Sequence, residues 1–193
     1  VEIYEKVTLD GPISGNFSSI SFVGKDTDAE IYLDIQGAIY ASNKTVSFAD
    51  ISLSKSQGGY VADAGFRNLA FGIFNAKEVN YTNCNCINGA YASSGKAKFT
   101  NCTFHPSHDR YGLWVYGDVE CVVDGCTFDG GSKTPAAIKS SGIISECVIQ
   151  DSEIKGYTEY GFVANSSSAH TEELSIDNTI IHDCGASAIY VTA

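Results

Sequence analysis

One pattern of apolar and polar positions recurs along this chain. In Ala97-Lys98-Phe99-Thr100-Asn101-Cys102-Thr103-Phe104, the large apolar Phe99 has an apolar residue two places before it and another five places after it. The same octet recurs as Val46 to Leu53, Ala64 to Phe71, Val79 to Cys86, Cys121 to Phe128, Cys147 to Ile154 and Leu174 to Ile181. Its central position is Phe48, Phe66, Tyr81, Phe99, Val123, Ile149 and Ile176. Two places later stand Asp50, Asn68, Asn83, Asn101, Gly125, Asp151 and Asn178, the residue types that best tolerate left-handed backbone. The pattern predicts a short strand, a one-residue left-handed bend, and a second short strand whose apolar residue points inward again.

Successive central positions lie 18, 15, 18, 24, 26 and 27 residues apart. That leaves room for a third strand upstream of each octet. Candidates are Ala38-Ile39-Tyr40-Ala41, Ala90-Tyr91-Ala92-Ser93, Gly112-Leu113-Trp114-Val115-Tyr116, Ala137-Ile138-Lys139-Ser140 and Gly161-Phe162-Val163-Ala164. Three strands per coil, stacked in parallel, make a solenoid in which each coil bonds to its neighbours. Ile20-Ser21-Phe22-Val23-Gly24 reproduces half an octet, so the coils are expected over 20–193, with 1–19 supplying an N-terminal strand or cap around Val1 to Leu9. Ala188-Ile189-Tyr190-Val191 begins a further coil without the polar cap a solenoid needs. The expectation is one domain that is a piece of a longer protein.

Phe99-Thr100-Asn101-Cys102-Thr103-Phe104 and Val123-Asp124-Gly125-Cys126-Thr127-Phe128 resemble the coils of the right-handed parallel β-helix in the pectin-lyase-like superfamily, and the Asn-Cys-Thr-Phe coils of secreted bacterial surface proteins. The resemblance implies an all-β, right-handed parallel β-helix of about eight coils. It speaks to fold more than to function, because that fold hosts lyases, hydrolases, epimerases and binding modules alike.

The seven cysteines fit the repeat. Cys84, Cys102 and Cys126 share one column, Cys121 and Cys147 another, and Cys86 falls in the inward column five places after the centre. Coils stack at about 4.8 Å, close enough for a disulfide, yet in-register neighbours point the same way, so buried free thiols are expected. Cys84-Asn85-Cys86 has no second pair at zinc-ribbon spacing, which argues against a metal framework.

Equal register turns each outward position into a ladder. On the third strand the outward column is expected to contain Tyr40, Ala62, Phe74, Tyr91, Trp114, Lys139, Val163 and Tyr190, with Tyr116 two residues beyond Trp114. Aromatic rings on an outward face give flat apolar platforms with a polar handle. In the resembling fold the corresponding face carries the sugar groove, which makes Tyr40, Phe74, Tyr91, Trp114, Tyr116, Lys139 and Tyr190 candidate ligand-binding residues; the alternative is that flanking loops cover the rings. A second column, Thr45, Asp63, Glu78, Lys96, Glu120, Glu146 and Glu173, ends in three glutamates that either hold a cation such as calcium or splay into water. A third candidate is the loop His105-Pro106-Ser107-His108-Asp109-Arg110-Tyr111, where His108 beside Asp109 offers a general base and Arg110 a carboxylate clamp. It resembles the Asp-Pro-His-Asp motif of alginate epimerases, with His105 in place of the first Asp and Ser107 inserted. The Asn-Thr-Asp, Gly-His-Gly and Arg-Ile-Lys segments of polygalacturonase-like hydrolases are absent.

Composition narrows the partners. A net charge of −11 with two arginines supplies no basic stripe for nucleic acid. No apolar run approaches the roughly 20 residues that span a bilayer as a helix. The expected function is a non-catalytic carbohydrate-binding or adhesion module without a cofactor, extracellular or at the surface of a bacterium. The alternative is a lyase or C5-epimerase on uronate-containing polysaccharide, with His108, Asp109 and Arg110 acting beside Lys139.

Overall fold

The computed structural model describes residues 1–13, 15–34, 38–55, 71–74, 76–87, 89–106, 111–141, 143–164 and 170–192. Among them there are strands, turns and no helix. Every pairing between named strands is parallel, which identifies a β-solenoid. One sheet stacks eight strands in order: Lys6–Leu9, Glu30–Leu33, Ser52–Lys55, Asn85–Cys86, Thr103–Phe104, Thr127–Asp129, Glu153–Lys155 and Ile180–His182. Against the expected eight or so coils, about six turns are enclosed by a neighbour on each side. A first and a last rung complete the stack.

The octet's left-handed bend is where the sequence puts it. Asp50, Asn83, Asn101, Gly125, Asp151 and Asn178 have φ of 54°, 52°, 52°, 63°, 50° and 44°. Each bend carries the chain from one sheet to the next while its flanking apolar residues stay inside. Phe22, Phe48, Tyr81 and Phe99 stack ring on ring at 5.3, 5.3 and 4.6 Å, and Val123, Ile149 and Ile176 continue the column by register. Phe66 was expected in this column, but Tyr81 pairs directly with Phe48, which leaves no rung between them; Phe66 lies outside the described residues.

Two further expectations change. The opening segment is not a separate cap: Glu2–Ile3, Lys6–Leu9 and Pro12–Ile13 pair with Ser19–Gly24, Glu30–Leu33 and Ala38–Tyr40, so it is already a three-stranded rung. Gly24, at the bend position of its rung, is not left-handed. A Cβ there would stand 1.9 Å from the Asp50 carbonyl oxygen, so glycine is required by close approach of the next rung.

All seven cysteines are free. Burial pushes the Cys86 thiol up, away from the reactive thiolate. The column Cys84, Cys102, Cys126, Ser152, Thr179 has a shared task. Each side chain donates to the carbonyl two residues earlier: Cys126 Sγ to Asp124 at 3.4 Å, Ser152 Oγ to Gln150 at 2.7 Å, Thr179 Oγ1 to Asp177 at 2.9 Å. Cys126, Ser152 and Thr179 also accept from the N–H one rung back: Cys102 N–H donates to Cys126 Sγ at 3.4 Å, Cys126 N–H to Ser152 Oγ at 3.0 Å, and Ser152 N–H to Thr179 Oγ1 at 3.4 Å. A thiol or hydroxyl at this place satisfies a buried amide that the bend leaves without a sheet partner. Cys126→Ser is therefore expected to keep stability within about 1 kcal/mol, whereas Cys126→Ala strands the Cys102 amide and costs about 1–3 kcal/mol. Urea melts of the two variants decide it, and equal losses would refute the role.

Candidate functional site

The third strand of each rung builds the outer face. On Tyr111–Asp124, Leu113 and Val115 are fully buried, while Trp114 and Tyr116 project to the other side. Trp114 pairs with Tyr91 on one side and Lys139 on the other, and the row continues through Val163 to Tyr190. The expected column is thus assembled from Tyr91 to Tyr190. It fails upstream of Tyr91, whose partner is Gly72, two residues before Phe74. Tyr40 pairs with Phe74, so both belong two places along, in the register of Tyr116. The misplacement has a plain cause, since the loops between the early coils differ in length and position cannot be counted through them. Ala62, Asp63, His108, Asp109 and Arg110 lie outside the described residues.

Around Trp114 the rings meet edge to face. Its centroid lies 5.6 Å from Tyr91, 6.1 Å from Tyr111 and 6.1 Å from Tyr116, with interplanar angles of 79°, 60° and 75°. Such contacts satisfy the ring quadrupoles and fix the indole in place. The rings are unequally accessible: Tyr91 is only 2% exposed although it faces away from the core, Trp114 is half-buried, and Tyr116 is 44% exposed. Tyr91 thus supports the indole and is not itself a free platform, which corrects its expected place on the open surface. Two rungs beyond Lys139, Tyr190 stacks on Tyr160 at 5.1 Å with a 15° tilt and is 39% exposed. Lys139 lies between the two aromatic groups, half-buried, and burial draws its pKa down.

The sequence pattern puts Tyr111 at the end of the preceding loop and does not single out Tyr160, so neither is expected on this face. Strict period two from Leu113 and Phe162 puts them on the core side. The alternation slips by one residue at Gly112 and Gly161, where there is no room for a side chain. A Cβ on Gly112 would meet the Phe128 ring and the Tyr157 hydroxyl, each at 2.9 Å. One on Gly161 would meet Ile181 at 2.6 Å. The pairing of Tyr111 with Ala136 and of Ala136 with Tyr160 then puts both tyrosines in one outward row.

The acidic column forms in register from Thr45 through Glu78 and Lys96 to Glu120 and Glu146, with the Glu173 carbonyl accepting from Cys147 N–H. Thr45 pairs directly with Glu78, however, which leaves no rung for the expected Asp63 between them. Lys96 Nζ sits 2.6 Å from Glu120. Among the described residues no three His, Cys, Asp or Glu side chains converge as metal ligands.

A polar cluster on the second sheet was also missed. His182 Nε2 lies 3.2 Å from Glu153 and its Nδ1 2.8 Å from Asp183, while Lys155 Nζ is 3.0 Å from Glu153. The hydrogen bond to Glu153, then that to Asp183, raises the His182 pKa; those from Lys155 and then His182 lower that of Glu153. The histidine contribution is complete below its ordinary value of 6.5 and is lost as pH rises through the raised one. The glutamate contribution is present above 4.5 and is lost as pH falls through the lowered one. The last rung should therefore hold best between about pH 4.5 and 6.5. Amide exchange at Ile180, which bonds to the Ser152 carbonyl, should speed up from pH 5.5 to 8 more than base catalysis explains, and His182→Gln should remove that excess. An excess surviving in His182→Gln would contradict the assignment.

A search of curated proteins and one of solved structures find no match. A family model described as the right handed beta helix region matches residues 70–193. With parallel rungs and left-handed bends repeating through that same span, the chain belongs to the right-handed β-helix family.

Proposed function

We propose that this protein is a non-catalytic module, secreted or displayed at a bacterial cell surface, that binds carbohydrate or mediates adhesion through its outer aromatic face. The observation that carries this reading is the aromatic cluster around Trp114. One indole is held by three tyrosines, with Tyr116 open beside it and the Tyr160–Tyr190 pair further along the same face. Sugar rings present apolar C–H faces edged by hydroxyls. A fixed ring offers the matching apolar plane, while tyrosine hydroxyls and the Lys139 ammonium supply polar contacts at its margin. The parallel rungs repeat at about 4.8 Å, so the face is long and straight, which suits a polymer better than a small molecule.

The chain contains one tryptophan, so its emission reports directly on the proposed site. Titration with a glycan that the protein retains on an array should shift that emission. Trp114→Ala should weaken retention by about tenfold or more, the scale of a central aromatic contact. The indole is not part of the core cluster, so the variant should still fold and melt cooperatively, at a temperature lowered by the three lost ring contacts. Wild type that retains no glycan, or retention equal in both proteins, would sink the reading.

A further inference from the structure

The outer face continues from the aromatic cluster into a mainly acidic region, with Lys96 and Lys98 on the rung at its near edge. The strand Tyr111–Asp124 turns a corner at Gly117, whose φ is 93°, and then presents Glu120. The neighbouring rungs add Glu146 and Glu173, and the far ends of the same strands add Asp124 and Asp177. The strands Tyr111–Asp124, Ile143–Gln150 and Leu174–Asp177 contain no lysine or arginine. The cation in the column, Lys96, is engaged by Glu120. On the aromatic side Lys139 is the single charged member of the row from Tyr91 to Tyr190.

We infer that the glycan taken by this face is uncharged, and that the carboxylates of Glu120, Glu146 and Glu173 act as a filter against uronic acid polymers. The inference rests on the glycan-binding reading above. An ionised carboxylate accepts hydrogen bonds from sugar hydroxyls, so a neutral chain crossing the corner gains partners, while a polyuronate brings like charges to the same place. Tyr116 and Glu120 are four residues apart with the Gly117 corner between them, so their Cα atoms are at most about 13 Å apart. The Debye length is about 8 Å at physiological salt and about 30 Å in about 10 mM salt, so repulsion reaches across the corner more fully in dilute salt. The filter is therefore steep in dilute salt and relaxes as salt is added.

The test titrates Trp114 emission with neutral β-glucan, xylan and mannan, and with polygalacturonate and alginate of similar length, in about 10 and 150 mM salt. At low salt the best neutral polymer should bind at least about tenfold more tightly than either polyuronate, and the gap should shrink at the higher salt. Glu146→Gln, away from the Lys96 ion pair, should narrow the gap, and Glu120→Gln with Glu146→Gln should narrow it further. Polyuronate binding as tight as the best neutral polymer, or a gap that ignores both salt and the glutamine variants, overturns this inference alone. Silence toward every polymer overturns the glycan reading, and the inference with it.

Discussion

Phe99→Ala should cost about 3–5 kcal/mol, among the largest losses any single side-chain truncation here can produce. Phe99 has no exposed surface and lies between two aromatic neighbours, stacked on Tyr81 at 4.6 Å and edge-on to Phe104 at 5.5 Å. Those rings belong to two different sheets, so the benzyl group locks the columns on either side of the Asn101 bend. The rungs above and below are fixed by backbone pairing with Tyr81 and Val123 and cannot close on the space left behind. A cavity therefore persists and adds to the lost transfer free energy. Lys98→Ala, one residue away on the exposed side, should stay within about 0.5 kcal/mol. Urea denaturation of both gives the comparison, and a Phe99→Ala loss under about 1.5 kcal/mol would remove Phe99 from the load of the core.

That core was legible in the sequence because two constraints coincide in each rung. An apolar position at i and i+2 is common by chance, but joined to Asn, Asp or Gly two residues later it specifies a bend, and six described bends are left-handed as read. The octet from Ala64 to Phe71 shows how the same signal misleads. Its composition fits, yet Phe71 opens the strand Phe71–Phe74, which pairs with Ala90–Thr100 in the third-strand row, and Tyr81 goes straight to Phe48. Pattern alone does not say which of the three strands an apolar pair belongs to; pairing across rungs does.

The candidate site was legible where position could be counted from a neighbouring octet. Trp114, Lys139, Val163 and Tyr190 align because the coils between them have similar lengths. Tyr40 and Phe74 shift because theirs do not. Tyr111 and Tyr160 were hidden by the slip in alternation, a packing event that depends on the bulk of Phe128, Tyr157 and Ile181 on other strands. The contact of His182 with Glu153 joins residues 29 apart, and only knowledge of the rung register brings them together.

Gly95→Ala should destabilise by about 3 kcal/mol or more, because two separate penalties fall on one residue. Gly95 turns the strand Ala90–Thr100 through the corner between the aromatic row and the acidic column, with φ of 72° and a shift of register beside it. Left-handed backbone alone costs an alanine about 1–2 kcal/mol. The second penalty is contact: a Cβ would stand 2.4 Å from the Lys77 carbonyl oxygen and 2.5 Å from that of Ala76. The Lys77 carbonyl is held by Lys96 N–H at 3.0 Å and cannot retreat without breaking that bond. Gly131 separates the terms, since it has φ of 55° with nothing within 4 Å of its Cβ position. Gly131→Ala should cost only the conformational share, about 1 kcal/mol. Because the corner sets the angle between Tyr91, beneath Trp114, and Lys96, beside Glu120, Gly95→Ala should also shift the Trp114 emission, and Gly131→Ala should not. Paired urea melts and emission spectra read both effects, and equal losses in the two variants would mean that the rungs do not approach as closely at Gly95 as the packing requires.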